Sequence, residues 1–222
     1  MLKHSSLALP LAIEDDSHTV YSKHRVEALS DAIFAIAMTL LVLEIKVPIN
    51  VPHGQLAHAL ADPFRDWIAL VMTFVLSARF WVLQHQLFDL LDKIKPRTLV
   101  TTFVFLGLII LLPYSTALWG HNIAEPLAVA IYFGHQGLIG IAMLVEIESG
   151  LHDHNLHIVE AMYKLRGRLY VMIIAMAAAC LAVWLLPLEY TGITAAVAAL
   201  AGRMVRNYFD KRRAKKHAHR RA

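Results

Sequence analysis

The sequence has little of what a secreted domain or an enzyme would need. Its single cysteine, Cys180, cannot form an internal disulfide, which excludes a small disulfide-stabilised scaffold. It contains no phosphate-binding loop and no G-x-S-x-G, H-E-x-x-H or G-x-G-x-x-G motif, so we predict neither an enzymatic activity nor a bound cofactor. Charge is also scarce, since only 17% of the 222 residues are Asp, Glu, Lys or Arg.

Hydrophobic residues make up 58% of the chain, and they lie in long runs. A helix needs about 20 apolar residues to cross the hydrocarbon core of a bilayer. Three runs without Asp, Glu, Lys or Arg reach this length: 98–124, 126–145 and 169–188. Three further runs are interrupted by a few charges: 28–47, 67–88 and 193–209. The sequence therefore predicts an all-α polytopic membrane protein with six transmembrane helices in a domain covering residues 25–209.

The basic residues are distributed unevenly between the two sides of this six-helix arrangement. All 21 Lys and Arg residues lie on the side of the N-terminus except Lys46, Arg65 and Arg79. Because loops rich in Lys and Arg stay in the cytoplasm, residues 1–24 and the basic tail 210–222 are both predicted to be cytoplasmic. We interpret the tail as an anchor for lipid headgroups rather than as a nucleic-acid site.

Three histidines, His152, His154 and His157, lie close together between the predicted fourth and fifth helices. With Asp153 and Glu160 nearby they resemble a metal cluster, but their spacing is loose. We interpret them as a solvated polar loop, and we predict no metal site.

The first predicted helix is unusual because charged residues stand at both ends of its apolar part. Only twelve uncharged residues separate Asp31 from Glu44, which is about 18 Å of helix and less than the thickness of the hydrocarbon core. The ends of this helix must therefore contact protein or water. At 100° per residue, one stripe of the helix carries Arg25, Leu29, Ala32, Ile36, Leu40 and Leu43, with Thr39 at its edge. On periodicity alone, this stripe is typical of ordinary helix packing.

A polar pair, Ser30 and Asp31, points away from this stripe and is available to neighbouring helices. Possible partners recur at helical spacing on the second helix: Ser77, Trp81, Gln84 and His85. We predict a hydrogen-bonded cluster of Asp31, Trp81 and His85 that locks the two helices together. A protonatable gate is the less favoured alternative, since histidine titrates near neutrality.

The segment RVEALSD, from Arg25 to Asp31, and the following AIFAIAMTLLVLEIKVP resemble the first-helix signature of the transmembrane protein 175 potassium channel family, in its bacterial six-helix form. That signature reads Arg, three residues, Phe, Ser, Asp, and Leu29 stands here where the family usually has phenylalanine. The resemblance covers residues 25 to about 209. Outside the signature it includes Trp81 and His85 on the second helix, Leu112 to Thr116 on the third, and Tyr132 on the fourth.

The resemblance implies a homotetrameric cation channel whose first helix lines a central pore. Family members lack the carbonyl filter loop of ordinary potassium channels, and this sequence has no TVGYG-like segment either. By register from the signature, the resemblance places the pore constriction at Ile36 and further apolar layers at Leu40 and Leu43. A hydroxyl layer associated with potassium preference falls at Thr39. These residues all belong to the stripe found from periodicity, which favours a pore over simple packing.

We therefore predict a passive, potassium-preferring channel in a bacterial inner membrane. Its expected partners are other copies of the chain, the lipid bilayer and permeant potassium ions. One alternative is a proton channel or a proton-coupled transporter that uses Asp31, Glu44 or His85. Another is a non-conducting membrane scaffold, which needs only helix packing.

Overall fold

A computed structural model describes residues 21–61, 64–151 and 156–185 of the chain, and most of these residues are helical. The α-helices in these ranges are α1 (Lys23–Leu40), α2 (Leu56–Ala61), α3 (Phe64–Leu90), α4 (Pro96–Ile110), α5 (Leu112–His121), α6 (Pro126–Leu151) and α7 (Leu156–Leu185). A four-residue 3₁₀ helix, Leu41–Glu44, continues α1. The predicted helix at 193–209, the basic tail, and the histidines at 152 and 154 lie outside the described residues.

Five stretches of the described residues are long and apolar enough to cross a membrane. They are Lys23–Glu44, Leu56–Leu90, Pro96–His121, Pro126–Leu151 and Glu160–Ala182. Each overlaps one of the first five helices predicted from the sequence, and the chain is an all-helical, multi-pass membrane protein. Helix α6 ends at Leu151, six residues after the charge-free run at 126–145, and α7 begins at Leu156, 13 residues before the run at 169–188.

The third predicted span is not one continuous helix, because it is divided at Leu111 between α4 and α5. Pro113 explains the break. Proline has no backbone N–H, and its ring collides with the carbonyl four residues earlier, so the regular hydrogen-bond ladder cannot pass through it. The chain tightens instead, and the N–H of Leu111 donates to the carbonyl of Leu108 at 3.1 Å.

Aromatic packing holds α1 against the rest of the subunit. Phe34 of α1 is 1% exposed and lies 5.9 Å from the ring centroid of Phe105 on α4, which lies 6.3 Å from that of Phe80 on α3. Trp119 of α5 stacks on Tyr132 of α6 with centroids 4.4 Å apart. These rings place α1 at one side of a bundle whose interior is formed by α3, α4, α5 and α6.

Two long helices, α6 and α7, approach each other closely at Gly140. A Cβ atom added at this glycine would lie only 2.7 Å from Cγ1 of Ile173. Small residues of this kind let membrane helices gain packing contacts that lipid cannot replace. The contact brings α7 close against α6, and buried residues of α7 such as Met162 and Leu169 contribute to the core.

Candidate functional site

The first helix has two faces with opposite surroundings. Its inner face, which includes Phe34 and Ala37, is buried against α3 and α4. The stripe predicted from periodicity lies on the outer face, where Ile36 is 59% and Leu43 is 72% exposed. The other members of the stripe, Arg25, Leu29, Ala32, Thr39 and Leu40, are exposed as well. The described subunit therefore does not use the stripe for its own helix packing.

Thr39 adds a hydroxyl oxygen to this apolar surface. Its Oγ1 donates a hydrogen bond to the carbonyl of Ile36, one turn earlier, at 2.8 Å. A hydroxyl has one hydrogen and two lone pairs, so this bond uses its hydrogen and leaves the oxygen able to accept or to coordinate a cation. The chemistry available on the outer face is therefore an apolar surface with an oxygen acceptor at its edge.

Near the start of α1, a tryptophan joins α1 to α3. The indole Nε1 of Trp81 donates to Oδ1 of Asp31 at 2.8 Å. The ring of Trp81 stacks on that of His85, one turn further along α3, at 5.7 Å between centroids and 14° between planes. Asp31, Trp81 and His85 are thus adjacent, as the sequence predicts, but the polar contacts of His85 are with other residues.

His85 lies between two carboxylates that the sequence reading did not single out. Its Nδ1 is 3.7 Å from Oε1 of Glu27, and its Nε2 is 3.8 Å from Oδ2 of Asp89. Potential ligand atoms of these three residues lie within 4.8 Å of one another, an arrangement able to hold a cation, although exposed acidic groups are common without one. Glu27 lies four residues before Asp31 on α1, so the two carboxylates share a helix face. That spacing could have indicated from the sequence that Glu27 also faces α3.

Ser30, for which the second helix offered only possible partners, forms its hydrogen bond within its own helix. Its hydroxyl donates to the carbonyl of Val26 within α1 at 2.9 Å. Ser77 behaves in the same way and donates to the carbonyl of Thr73 at 2.7 Å. Serine in a buried helix often satisfies its hydroxyl through the preceding turn, which is why the pairing could not be read from spacing alone.

The opposite end of α1 has its own group of titratable side chains. Glu44 lines a small pocket together with Asp66 and His121. Nε2 of His121 lies 3.9 Å from Oδ2 of Asp66. Gly120 makes room for this arrangement, because a Cβ there would lie 2.8 Å from Oδ1 of Asp66. Charged groups thus flank the apolar part of α1 at both ends.

A buried carboxyl group in α6 was missed from the sequence. Glu146 is fully buried, and its Oε1 lies 2.6 Å from Oγ1 of Thr102 on α4. The charge-free run 126–145 ends just before Glu146, so the sequence suggested that the helix reaches water at this residue. In the structure α6 continues for another turn, and Glu146 instead helps to hold α4 against α6.

The first-helix signature lies within the region matched by a known protein family. A sequence model of the family described as endosomal/lysosomal potassium channel TMEM175 matches residues 25–113, from the start of α1 to the start of α5. The crystal structure of a lysosomal potassium-selective channel TMEM175 homolog from Chamaesiphon minutus superposes with a TM-score of 0.66 and 28% identity, over 81% of this chain and 97% of that one. Over these matched regions the chain resembles the TMEM175 family.

Curated members of the family include bacterial and animal proteins. A potassium channel from Streptomyces collinus is 32% identical over 125 residues, which are 56% of this chain and 61% of that protein. A potassium channel from Chamaesiphon minutus is 34% identical over 115 residues, or 50% of this chain and 57% of that one. The chain therefore spans about three fifths of the length of these two relatives. An endosomal/lysosomal proton channel TMEM175 from Gallus gallus is 38% identical over 81 residues, or 32% of this chain and 16% of that one.

Proposed function

We propose that the chain forms a potassium-preferring cation channel in which the outer faces of several copies of α1 surround a common pore. The observation that carries the proposal is the exposure of the α1 stripe on the subunit, while the opposite face of the same helix is buried. One helix cannot enclose a pore, so several copies must meet at an axis, and a closed ring is the symmetric way to do this. By resemblance to the family, that ring is a homotetramer.

In such a ring, Ile36, Leu40 and Leu43 form successive apolar layers. Narrow apolar rings gate by losing water, and wider ones oblige an ion to shed part of its hydration shell. Potassium holds its water less tightly than sodium, so an apolar neck favours potassium modestly. The Thr39 oxygen, one turn from Ile36, would replace part of the lost hydration. No bound cofactor or metal is required, because the permeant ion is the only ligand of the pore.

The contact between Asp31 and Trp81 fits a positioning role rather than a conducting one. It ties the entrance of α1 to α3, so the helix that lines the pore is held by a helix behind it. Arg25, one to two turns before Asp31 on an exposed surface, lies at the same end of the helix. Both termini are proposed to lie on the cytoplasmic side of a bacterial inner membrane, where the positive-inside rule places the basic loops.

A proton channel or proton-coupled transporter is the second candidate. It is favoured by the titratable groups at both ends of α1, His85 with Glu27 and Asp89 at one end and Glu44 near Asp66 at the other. It is also in keeping with the relative from Gallus gallus that is named as a proton channel.

Reconstitution of the full chain in liposomes tests the proposal. With a potassium gradient and a protonophore present, the wild type is expected to release potassium while protein-free liposomes do not. Absence of potassium flux would contradict the channel. Flux that stops when the pH gradient is clamped would favour the coupled transporter. Light scattering on the purified protein should give the mass of four subunits.

A further inference from the structure

A groove between α3 and α7, which includes no residue of the α1 stripe, contains two arginines. It has a volume of about 420 Å³, and it is lined by Ala78, Arg79, Val82, Leu83 and Gln86 of α3 and by Arg168 of α7. Among the described residues that line it, none is acidic. The groove therefore brings two arginines and apolar walls together between two membrane-spanning helices.

The three polar side chains of the groove converge from two helices. Arg79 and Gln86 are seven residues apart on α3, so they lie on one face, about 10 Å apart along the helix. Arg168 of α7 joins that face, since its Nη1 donates to Oε1 of Gln86 at 3.2 Å. A guanidinium has five N–H donors, and this single bond leaves Arg168 with most of its donors available.

Arg168 differs from the other basic residues of its helix turn. Lys164 lies 3.1 Å from a carboxylate oxygen of Glu160, and Arg166 lies 2.9 Å from one of Glu148. Their charges are compensated within the subunit. The hydrogen bond of Arg168 is to a neutral amide, so its charge remains available to an anion.

The depth of the groove in the membrane suits a lipid headgroup. Arg168 bonds to Gln86, which stands four residues before the end of α3 at Leu90, so the two side chains lie near one end of that span. Arg79 lies deeper, within the span that ends at Leu90, and a long arginine at this depth extends its head toward the interface. Val82 lies between them and is 43% exposed, which leaves an apolar surface directly beside the two charges.

We propose that this groove binds an anionic phospholipid, with the phosphate between Arg79 and Arg168 and an acyl chain along Val82. Guanidinium groups match phosphate oxygens in shape and charge, and basic pockets between membrane helices are known headgroup sites. The apolar wall favours a lipid over free phosphate, which would leave that wall unused. The site lies on the side of the subunit where the basic loops concentrate, and it does not depend on whether the protein conducts ions.

Native mass spectrometry of the full chain in detergent tests this assignment. Phosphatidylglycerol and phosphatidylcholine are titrated separately against the wild type, the double variant Arg79→Gln/Arg168→Gln, and a control, Lys93→Gln/Arg97→Gln. The control removes two exposed basic residues near the same membrane surface but outside the groove. Arg168→Gln alone and Arg79→Lys/Arg168→Lys are included, because the full double variant is the one most liable to fold poorly.

We expect the wild type to prefer phosphatidylglycerol and the double variant to bind it about 25-fold more weakly, about fivefold for each arginine lost. Arg168→Gln alone should lose about fivefold, and the control should bind nearly as the wild type does. The lysine pair keeps both charges but not the guanidinium geometry, so its binding should lie between that of the wild type and that of the double glutamine variant. Equal binding by the wild type and Arg168→Gln would overturn the proposal. So would displacement of the lipid by millimolar inorganic phosphate, or a change in subunit number of lipid-free Arg168→Gln, which would assign the groove to a neighbouring subunit.

Discussion

The inner and outer faces of α1 carry similar side chains but meet different surroundings. Phe34 and Ile36 are both large and apolar and stand two residues apart, yet the first is 1% exposed and the second 59%. The inner face is committed to α3 and α4 through the ring of Phe105. The outer face has no comparable commitment within the described residues. Packing within the subunit therefore explains the apolar side chains of the inner face. The apolar side chains of the outer face require another explanation.

Mere exposure to lipid does not account for the outer face equally well. A lipid-facing helix should be apolar over about 30 Å, but the uncharged part of α1 covers about 18 Å and contains Thr39. Polar residues in membrane spans usually face a bundle interior or a water-filled cavity. The comparison between the two faces thus favours a pore for the outer one.

The largest difference is expected between truncations on the two faces. Phe34→Ala should destabilise the subunit by about 2 kcal/mol, because it leaves a cavity among three helices. The loss is smaller than in a soluble core, since lipid solvates an apolar chain as well as protein does. Ile36→Ala should leave subunit stability nearly unchanged. Thermal unfolding in detergent measures both. Equal destabilisation by the two variants would show that the outer face is a packing surface after all.

The stripe itself could be predicted from sequence, because helical periodicity assigns residues to faces without any knowledge of their neighbours. The sequence could not predict which face is buried, because both faces of α1 are apolar over much of their length. Hydrophobicity alone does not distinguish a surface that contacts protein from one that faces lipid or a pore. Phe34 lies on the inner face because it packs against Phe105, which is distant in sequence. The resemblance to the family supplied the distinction that composition lacked.

Charged residues were the least predictable part of the fold. A charge is usually a sign that a membrane helix has reached water, and this assumption ended the fourth span before Glu146 and began the fifth after Arg168. In the structure Glu146 accepts a hydrogen bond from Thr102. On α7, Arg166 pairs with Glu148 and Arg168 donates a hydrogen bond to Gln86. Such compensation comes from other helices, so no local pattern in the sequence reveals it.

Polarity introduced on the outer face should increase conduction. Ile36→Asn is expected to raise potassium flux about tenfold, because a barrier lowered by about 1.4 kcal/mol increases a rate tenfold and polar side chains keep a narrow pore wet. Liposome flux assays provide the measurement. The matched control is Val75→Asn on α3, whose side chain is exposed to the same extent, 59%. A similar increase in both variants would mean that asparagine merely makes the bilayer leaky.

The link between the two helices should matter for stability more than for conduction. Trp81→Phe keeps an aromatic ring beside His85 but removes the donor to Asp31, so we expect a loss of about 1 kcal/mol in stability. Trp67→Phe, on the same helix and 45% exposed, is the control and should have little effect. If Trp81→Phe abolishes flux while the protein unfolds at the wild-type temperature, the cluster is a gate and not a lock.

The smallest predicted effect is on ion preference at Thr39. Thr39→Ala removes the oxygen that can coordinate an ion on the outer face, whereas Thr39→Ser retains it. One neutral oxygen contributes about 1 kcal/mol or less, so the potassium-to-sodium flux ratio should fall by about threefold in the alanine variant and stay near the wild-type value in the serine variant. Both variants should unfold at the wild-type temperature, since the side chain is exposed. An unchanged flux ratio in Thr39→Ala would mean that potassium preference arises from the apolar layers alone, because dehydration at Ile36 discriminates between the two ions without a coordinating oxygen.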